Sequence, residues 1–129
     1  MKLSFVIFYV KNIMETILFY EKAFQLKTKF IHDSKQYAEL ETGPTTLAFA
    51  QHELAIQLVK SEYVCPEKLG KPISAQISFE PLDILQAYNT ALAAGARSVS
   101  APEIKPWNWE CAMLQDIDGN LIELAKPVK

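Results

Sequence analysis

The sequence predicts an α+β fold built from two βαβββ modules, and three observations predict it. Strand-like and helix-like segments follow one another in the order β-α-β-β-β, and that order then repeats. The chain has 129 residues, the size of one domain that holds both copies. Half of the residues are hydrophobic and 22% are charged, the usage of an ordinary globular core, which excludes disordered and fibrous classes.

Leu3 to Val10 is rich in β-branched and aromatic residues and reads as a buried strand. Asn12 with Glu15 three residues on fits a helix N-cap, and Ile13, Ile17, Tyr20 and Phe24 then recur at helical spacing up to about Gln25. Thr28–His32, Tyr37–Glu41 and Thr45–Ala50 read as three strands, with turns at Asp33-Ser34 and Gly43-Pro44. His52–Lys60 fits a short helix with His52 as a solvated first residue. A Pro- and Gly-containing linker over about 62–72 separates module one (about 1–61) from module two (about 73–129).

Module two opens with a strand at Ile73–Phe79. Pro81 suits a first helical turn, Leu85, Tyr88 and Leu92 form the helical stripe, and Gly95 ends it. Arg97–Ser100, Glu110–Gln115 and Leu121–Ala125 complete the module, the last two joined across Asp118-Gly119, where the Asp116/Asp118 pair shapes the turn. Laying Val10 on Phe79 places Phe5 on Ser74, and laying the last strands together places Ala48 on Glu123.

Thirteen basic against fifteen acidic residues leave a formal charge of −2, which offers no basic footprint for nucleic acid. No apolar run approaches the ~18–20 residues of a membrane-spanning helix. Lys2 and the run from Leu3 to Val10 resemble the start of a signal peptide, but no small-residue cleavage site follows. Cys65 and Cys111 are too few and too far apart for a metal or redox motif and read as reduced thiols of a cytoplasmic protein.

Strand alternation assigns the candidate site. Ala38 and Leu40 face the core, which turns Tyr37, Glu39 and Glu41 to the opposite side. Ala112 and Leu114 face the core, which turns Trp109, Cys111 and Met113 away, and Glu123 between Ile122 and Leu124 shares their side. An acidic and aromatic sheet face of this kind is a pocket or an oligomer interface. Glu123 suits a general base or an anchor for a cation, and is the best catalytic candidate. Trp107 and Trp109, with Phe5 and Tyr37, could wall a planar ligand, although Phe5 also suits plain core and the tryptophans an interface. Cys111 has no His or Lys near it in sequence to activate a thiolate.

The pattern resembles the glyoxalase/bleomycin resistance/dioxygenase superfamily, also called vicinal oxygen chelate proteins. The residues that carry the resemblance are Val10-Lys11-Asn12-Ile13, Phe19-Tyr20-Glu21-Lys22 and the closing Asp116-Ile117-Asp118-Gly119-Asn120-Leu121-Ile122-Glu123-Leu124. Lys105-Pro106-Trp107 looks like the K-P-W-G segment of the antibiotic-resistance-like branch, with Asn108 in place of the glycine. The resemblance implies curled mixed sheets around a pocket, usually completed in a homodimer. In metal-dependent members it implies four metal ligands, on the first and last strands of each module. Carried onto this chain, those positions are Phe5, Ala48, Ser74 and Glu123, with Gln57 as the alternative to Ala48 in another register. Only Glu123 is a competent ligand in the first register, which argues against a metal or any other cofactor there. The expected ligand-binding set is Phe5, Tyr37, Glu39, Ala48, Ser74, Trp107, Trp109, Met113 and Glu123. The function implied is metal-free binding of a small cationic or aromatic molecule; the alternative is a lyase, isomerase or dioxygenase-type enzyme resembling lactoylglutathione lyase.

Overall fold

Asn12 caps the first helix as its spacing predicts: its side chain accepts from the Glu15 N–H at 3.0 Å, and Gln51 Oε1 accepts from the Ile13 N–H at 3.1 Å. Those two contacts satisfy donors that a helix start leaves unpaired. The computed structural model describes residues 1–129, in two compact units.

Unit one holds residues 1–21 and 25–65. Its strands are β1 (Phe5–Val10), β2 (Lys27–Ile31), β3 (Tyr37–Glu41) and β4 (Thr46–Gln51), in the sheet order β1-β4-β3-β2. β1 and β4 are parallel and the other pairs antiparallel. α1 (Ile13–Phe24) buries Ile13, Ile17 and Tyr20, and the Tyr20 ring lies 4.8 Å from Phe49 of β4. With Val10, Ala38 and Leu40 these side chains make the core of the unit, each large one contributing about 1.5–3 kcal/mol by leaving water. α2 (His52–Val59) follows β4.

Unit two holds residues 22–24 and 66–129. β5 (Gln76–Phe79), β6 (Arg97–Ile104), β7 (Trp109–Gln115) and β8 (Leu121–Pro127) pair in the order β5-β8-β7-β6, again with one parallel pair, β5 with β8. α3 (Ile84–Ala94) covers one face, over Ala112, Leu114, Ile122 and Leu124, all buried as alternation predicts. Its end is fixed by Gly95 at φ 118°, also as predicted.

Four expectations are corrected. β5 begins at Gln76, not Ile73, because its partner β8 begins at Leu121 and residues before Gln76 have no strand to bond; Ser74 therefore lies outside the sheet. β6 runs on past Ser100 to Ile104, because β7 extends back to Trp109 and its register shifts accommodate Pro102. α3 is capped by Asp83, whose side chain accepts from the Gln86 N–H, so Pro81 precedes the helix; the buried face carries Ile84 and Ala91, and Leu85 is exposed. Gln57 lies on α2 and is exposed, which removes the register that placed it beside the first-module sheet.

The closing turn forms as the sequence predicts. Asp116, buried, accepts from the N–H groups of Asp118 at 2.9 Å and Asn120 at 2.8 Å and from Asn120 Nδ2 at 3.2 Å. Gly119 sits at φ 87°, and a Cβ there would come within 2.9 Å of the Pro66 carbonyl carbon. That turn sets where β8 starts, and so the register that presents Glu123.

Candidate functional site

The two sheets carry equivalent rows across their strands. In unit two, Ser78, Glu123, Met113 and Ser100 pair successively across β5, β8, β7 and β6. In unit one, Ile7, Ala48, Glu39 and Phe30 pair in the same way across β1, β4, β3 and β2. Ala48 does correspond to Glu123, as the sequence alignment has it. The first-strand partners, however, are Ile7 and Ser78, two residues beyond the Phe5 and four beyond the Ser74 that end-to-end matching selects. Ser78 is the residue that the sequence reading missed. It shares the strand parity of Ser74, and counting back from the parallel partner strand, rather than along the first strand, would have found it.

In unit two a cavity of about 420 Å³ is lined by Ser78, Phe79, Glu80, Trp107, Trp109, Cys111, Glu123 and Ala125. The structure thus brings together Trp107, Trp109 and Glu123 of the expected set. Met113 lies beside Glu123 on the ladder but outside this lining. The half-buried Glu123 carboxylate accepts a hydrogen bond from the Ser78 hydroxyl through Oε1. Trp107 sits at the tip of the β6–β7 turn, 66% exposed. The turn is closed by Lys105 N–H donating to the Trp109 carbonyl at 2.7 Å and Asn108 N–H donating to the Lys105 carbonyl at 2.9 Å. Asn108 adopts φ 60°, a conformation that asparagine tolerates better than most residues, which explains how it stands where the resembling segment has glycine.

Lys105 reaches Glu103 in an ion pair, and that hydrogen bond raises its ammonium above the usual lysine range. Cys111 is pushed up by burial first and by the neighbouring Glu123 carboxylate second, so at neutral pH it is a thiol and a poor nucleophile. With Lys105 paired to Glu103, the Glu80 and Glu123 carboxylates give the cavity an acidic balance.

Phe5, Tyr37, Glu39 and Ala48 belong to unit one. Ala48 is completely buried. Phe5 is 46% exposed, which corrects its reading as plain core. The Tyr37 hydroxyl donates to Glu39 Oε2 at 2.8 Å. Burial, then this hydrogen bond and the Glu39 charge, push the Tyr37 phenol up to about 12. Ser74 is exposed ahead of β5 and does not line the cavity.

These donors do not fit a divalent metal at the ladder positions. Ile7 and Ala48 have no donor atom. Ser78 is a neutral hydroxyl already donating to the one carboxylate, Glu123. One carboxylate and one neutral alcohol offer neither the imidazole nor the thiolate that such an ion binds tightly.

Residues 2–124 match the family model described as Glyoxalase/Bleomycin resistance protein/Dioxygenase superfamily. No curated protein gives a significant match. Among solved structures, a glyoxalase/bleomycin resistance protein/dioxygenase family enzyme from Burkholderia phytofirmans is similar with TM-score 0.82 at 23% identity, covering 99% of this chain and 100% of that one. A glyoxalase-related enzyme from Fulvimarina pelagi gives TM-score 0.83 at 14% identity, over 96% of this chain and 86% of that one. TioX from a Micromonospora species gives 0.72 at 16%, over 99% and 100%. At these identities the likeness is one of fold.

Proposed function

Because the chain belongs to the glyoxalase/bleomycin resistance protein/dioxygenase superfamily, we propose that it binds a small planar cation in the cavity of unit two, without a metal at the ladder positions. The observation that carries the reading is the lining itself. Trp107 and Trp109 border the same space of about 420 Å³ as the Glu80 and Glu123 carboxylates, within the range of about 300–1,000 Å³ usual for ligand pockets. An indole face attracts a cation, and a carboxylate in the same cavity adds a charged anchor.

The reading includes a homodimer. Phe5, Ile7 and Phe30 on one face of the unit-one sheet are 43–46% exposed, and an apolar face of that kind favours a partner. It also includes a cytoplasmic setting, on the strength of the unpaired Cys65 and Cys111. No helix is long and apolar enough to cross a membrane.

The test is tryptophan fluorescence against a panel of planar aromatic cations and their neutral isosteres. A cation that quenches saturably, binds its neutral isostere's site about ten-fold more tightly, and loses that advantage in Glu123→Gln supports the reading. No saturable quenching by any cation, or stoichiometric metal retention that Glu123→Gln abolishes, overturns it.

A further inference from the structure

A second group of chemically competent side chains lies in unit one, where the chain leaves α2 and turns back over the start of that helix. Lys60 ends α2 at φ 59°, and the turn that follows brings Tyr63 and Cys65 to His52, the first residue of the helix. The Tyr63 hydroxyl lies 2.6 Å from His52 Nδ1, and the Tyr63 ring packs against Tyr9 of β1 with centroids 5.0 Å apart. Tyr63 is therefore held from β1 and in turn fixes the imidazole. A ligating nitrogen of His52 and the Cys65 sulfur lie within 4.8 Å of each other, and both border a cavity of about 490 Å³ with Glu53 and Glu62. His52 is half-buried and tethered, which corrects its reading as a solvated helix-start residue.

We propose that His52 and Cys65 bind a thiophilic metal ion of the zinc type. Imidazole nitrogen and thiolate sulfur are the donors that such an ion prefers over hard cations. Bonds of roughly 2.3 Å to sulfur and 2.0–2.1 Å to nitrogen span up to about 4.4 Å between ligands, so donors within 4.8 Å of each other come into range by a side-chain adjustment. The Tyr63 contact is the kind of support that a ligating histidine uses. With the proton on Nδ1 and donated to the Tyr63 oxygen, Nε2 presents its lone pair. The Glu53 and Glu62 carboxylates on the cavity wall make the space attractive to a cation, and water or a carboxylate oxygen fills the remaining positions. Binding converts the Cys65 thiol to a metal-bound thiolate and releases its proton to solvent, so affinity rises with pH. None of these residues lines the cavity around Glu123, and the proposal stands apart from the ligand reading given above.

The experiment uses the full chain, reduced and stripped with a chelator, then titrated with zinc against a chromogenic competitor and with cobalt as the spectroscopic stand-in. One equivalent binds, with a sulfur-to-cobalt charge-transfer band. Cys65→Ser removes the band, His52→Ala weakens zinc binding by at least about ten-fold, and Tyr63→Phe weakens it less. Cys111→Ser and Glu123→Gln leave band and affinity unchanged, and circular dichroism checks that each variant folds. In the wild-type chain zinc also protects Cys65 from alkylation, a readout independent of any variant's folding. Absence of the band, its survival in Cys65→Ser, its loss in Cys111→Ser, or unprotected Cys65 overturns the proposal.

Discussion

Ser78 and Glu123 stand opposite each other on the parallel β5–β8 pair, and the serine hydroxyl donates its hydrogen bond to the glutamate's Oε1. A side chain from the first strand of the module thus aims the carboxylate that borders the cavity. Ser78→Ala removes the donor and leaves Glu123 to water. We expect a loss of no more than about 1 kcal/mol in urea unfolding, the modest value suited to a solvent-exposed bond, together with weaker cation binding. Unchanged affinity in Ser78→Ala would show that the hydroxyl has no part in aiming the carboxylate.

Tyr37 gives a pH prediction. Its phenol is raised from the ordinary 10.0 to about 12, mainly by burial and then by Glu39. In the window between those values the folded state keeps a proton that the unfolded state has lost, so this residue's contribution is intact below 10 and falls as pH rises toward 12. Ultraviolet difference titration should show one late-ionising tyrosine. Tyr37→Phe should remove it and flatten the stability loss across the same window.

Cys111 should react slowly. Burial and the Glu123 charge favour its thiol form, so iodoacetamide at neutral pH should label Cys65 first in metal-free protein, as read by peptide mass spectrometry. Cys111 labelling should accelerate only above the ordinary thiol range. Glu123→Gln should speed it by removing the second cause of the upward shift.

Two turn positions should respond in opposite senses. Gly119→Ala combines a left-handed backbone with a Cβ placed against Pro66, and should cost at least about 1–3 kcal/mol in thermal or chemical unfolding. Asn108→Gly relaxes a non-glycine residue at φ 60° and should be neutral or stabilising by up to about 1 kcal/mol, whereas Asn108→Val should destabilise.

What the sequence revealed follows the range of the forces involved. The Asn12 cap, the Asp116–Asn120 turn and the alternation through Ala112 and Leu114 are local, and all three formed as read. The start of β5 was not legible, because it is set by Leu121 on a partner strand distant in sequence; laying Val10 on Phe79 selected Ser74, whereas the β5–β8 register selects Ser78. The α3 face was misjudged because Ile84 and Leu85 are adjacent apolar residues, and only packing decides which turns inward. Trp109 and Glu123 were legible as outward-facing, and Trp107 as a wall residue beside them. The approach of Cys65 to His52 was not, because it depends on the left-handed exit from α2 at Lys60.

The matched rows also say how far this chain stands from a different chemistry. Backbone register already sets a β5 side chain beside a β8 carboxylate on one face, and it does so whatever occupies position 78. A single codon's worth of change, Ser78→His, would seat an imidazole next to Glu123 on an otherwise unaltered scaffold. In unit one the same addresses hold Ile7 and Ala48, so two replacements would be needed, one of them at a position with no exposed surface. The two halves are thus unequal starting points at these addresses: the second already holds a carboxylate beside a hydroxyl, while the first holds a buried alanine beside an exposed isoleucine.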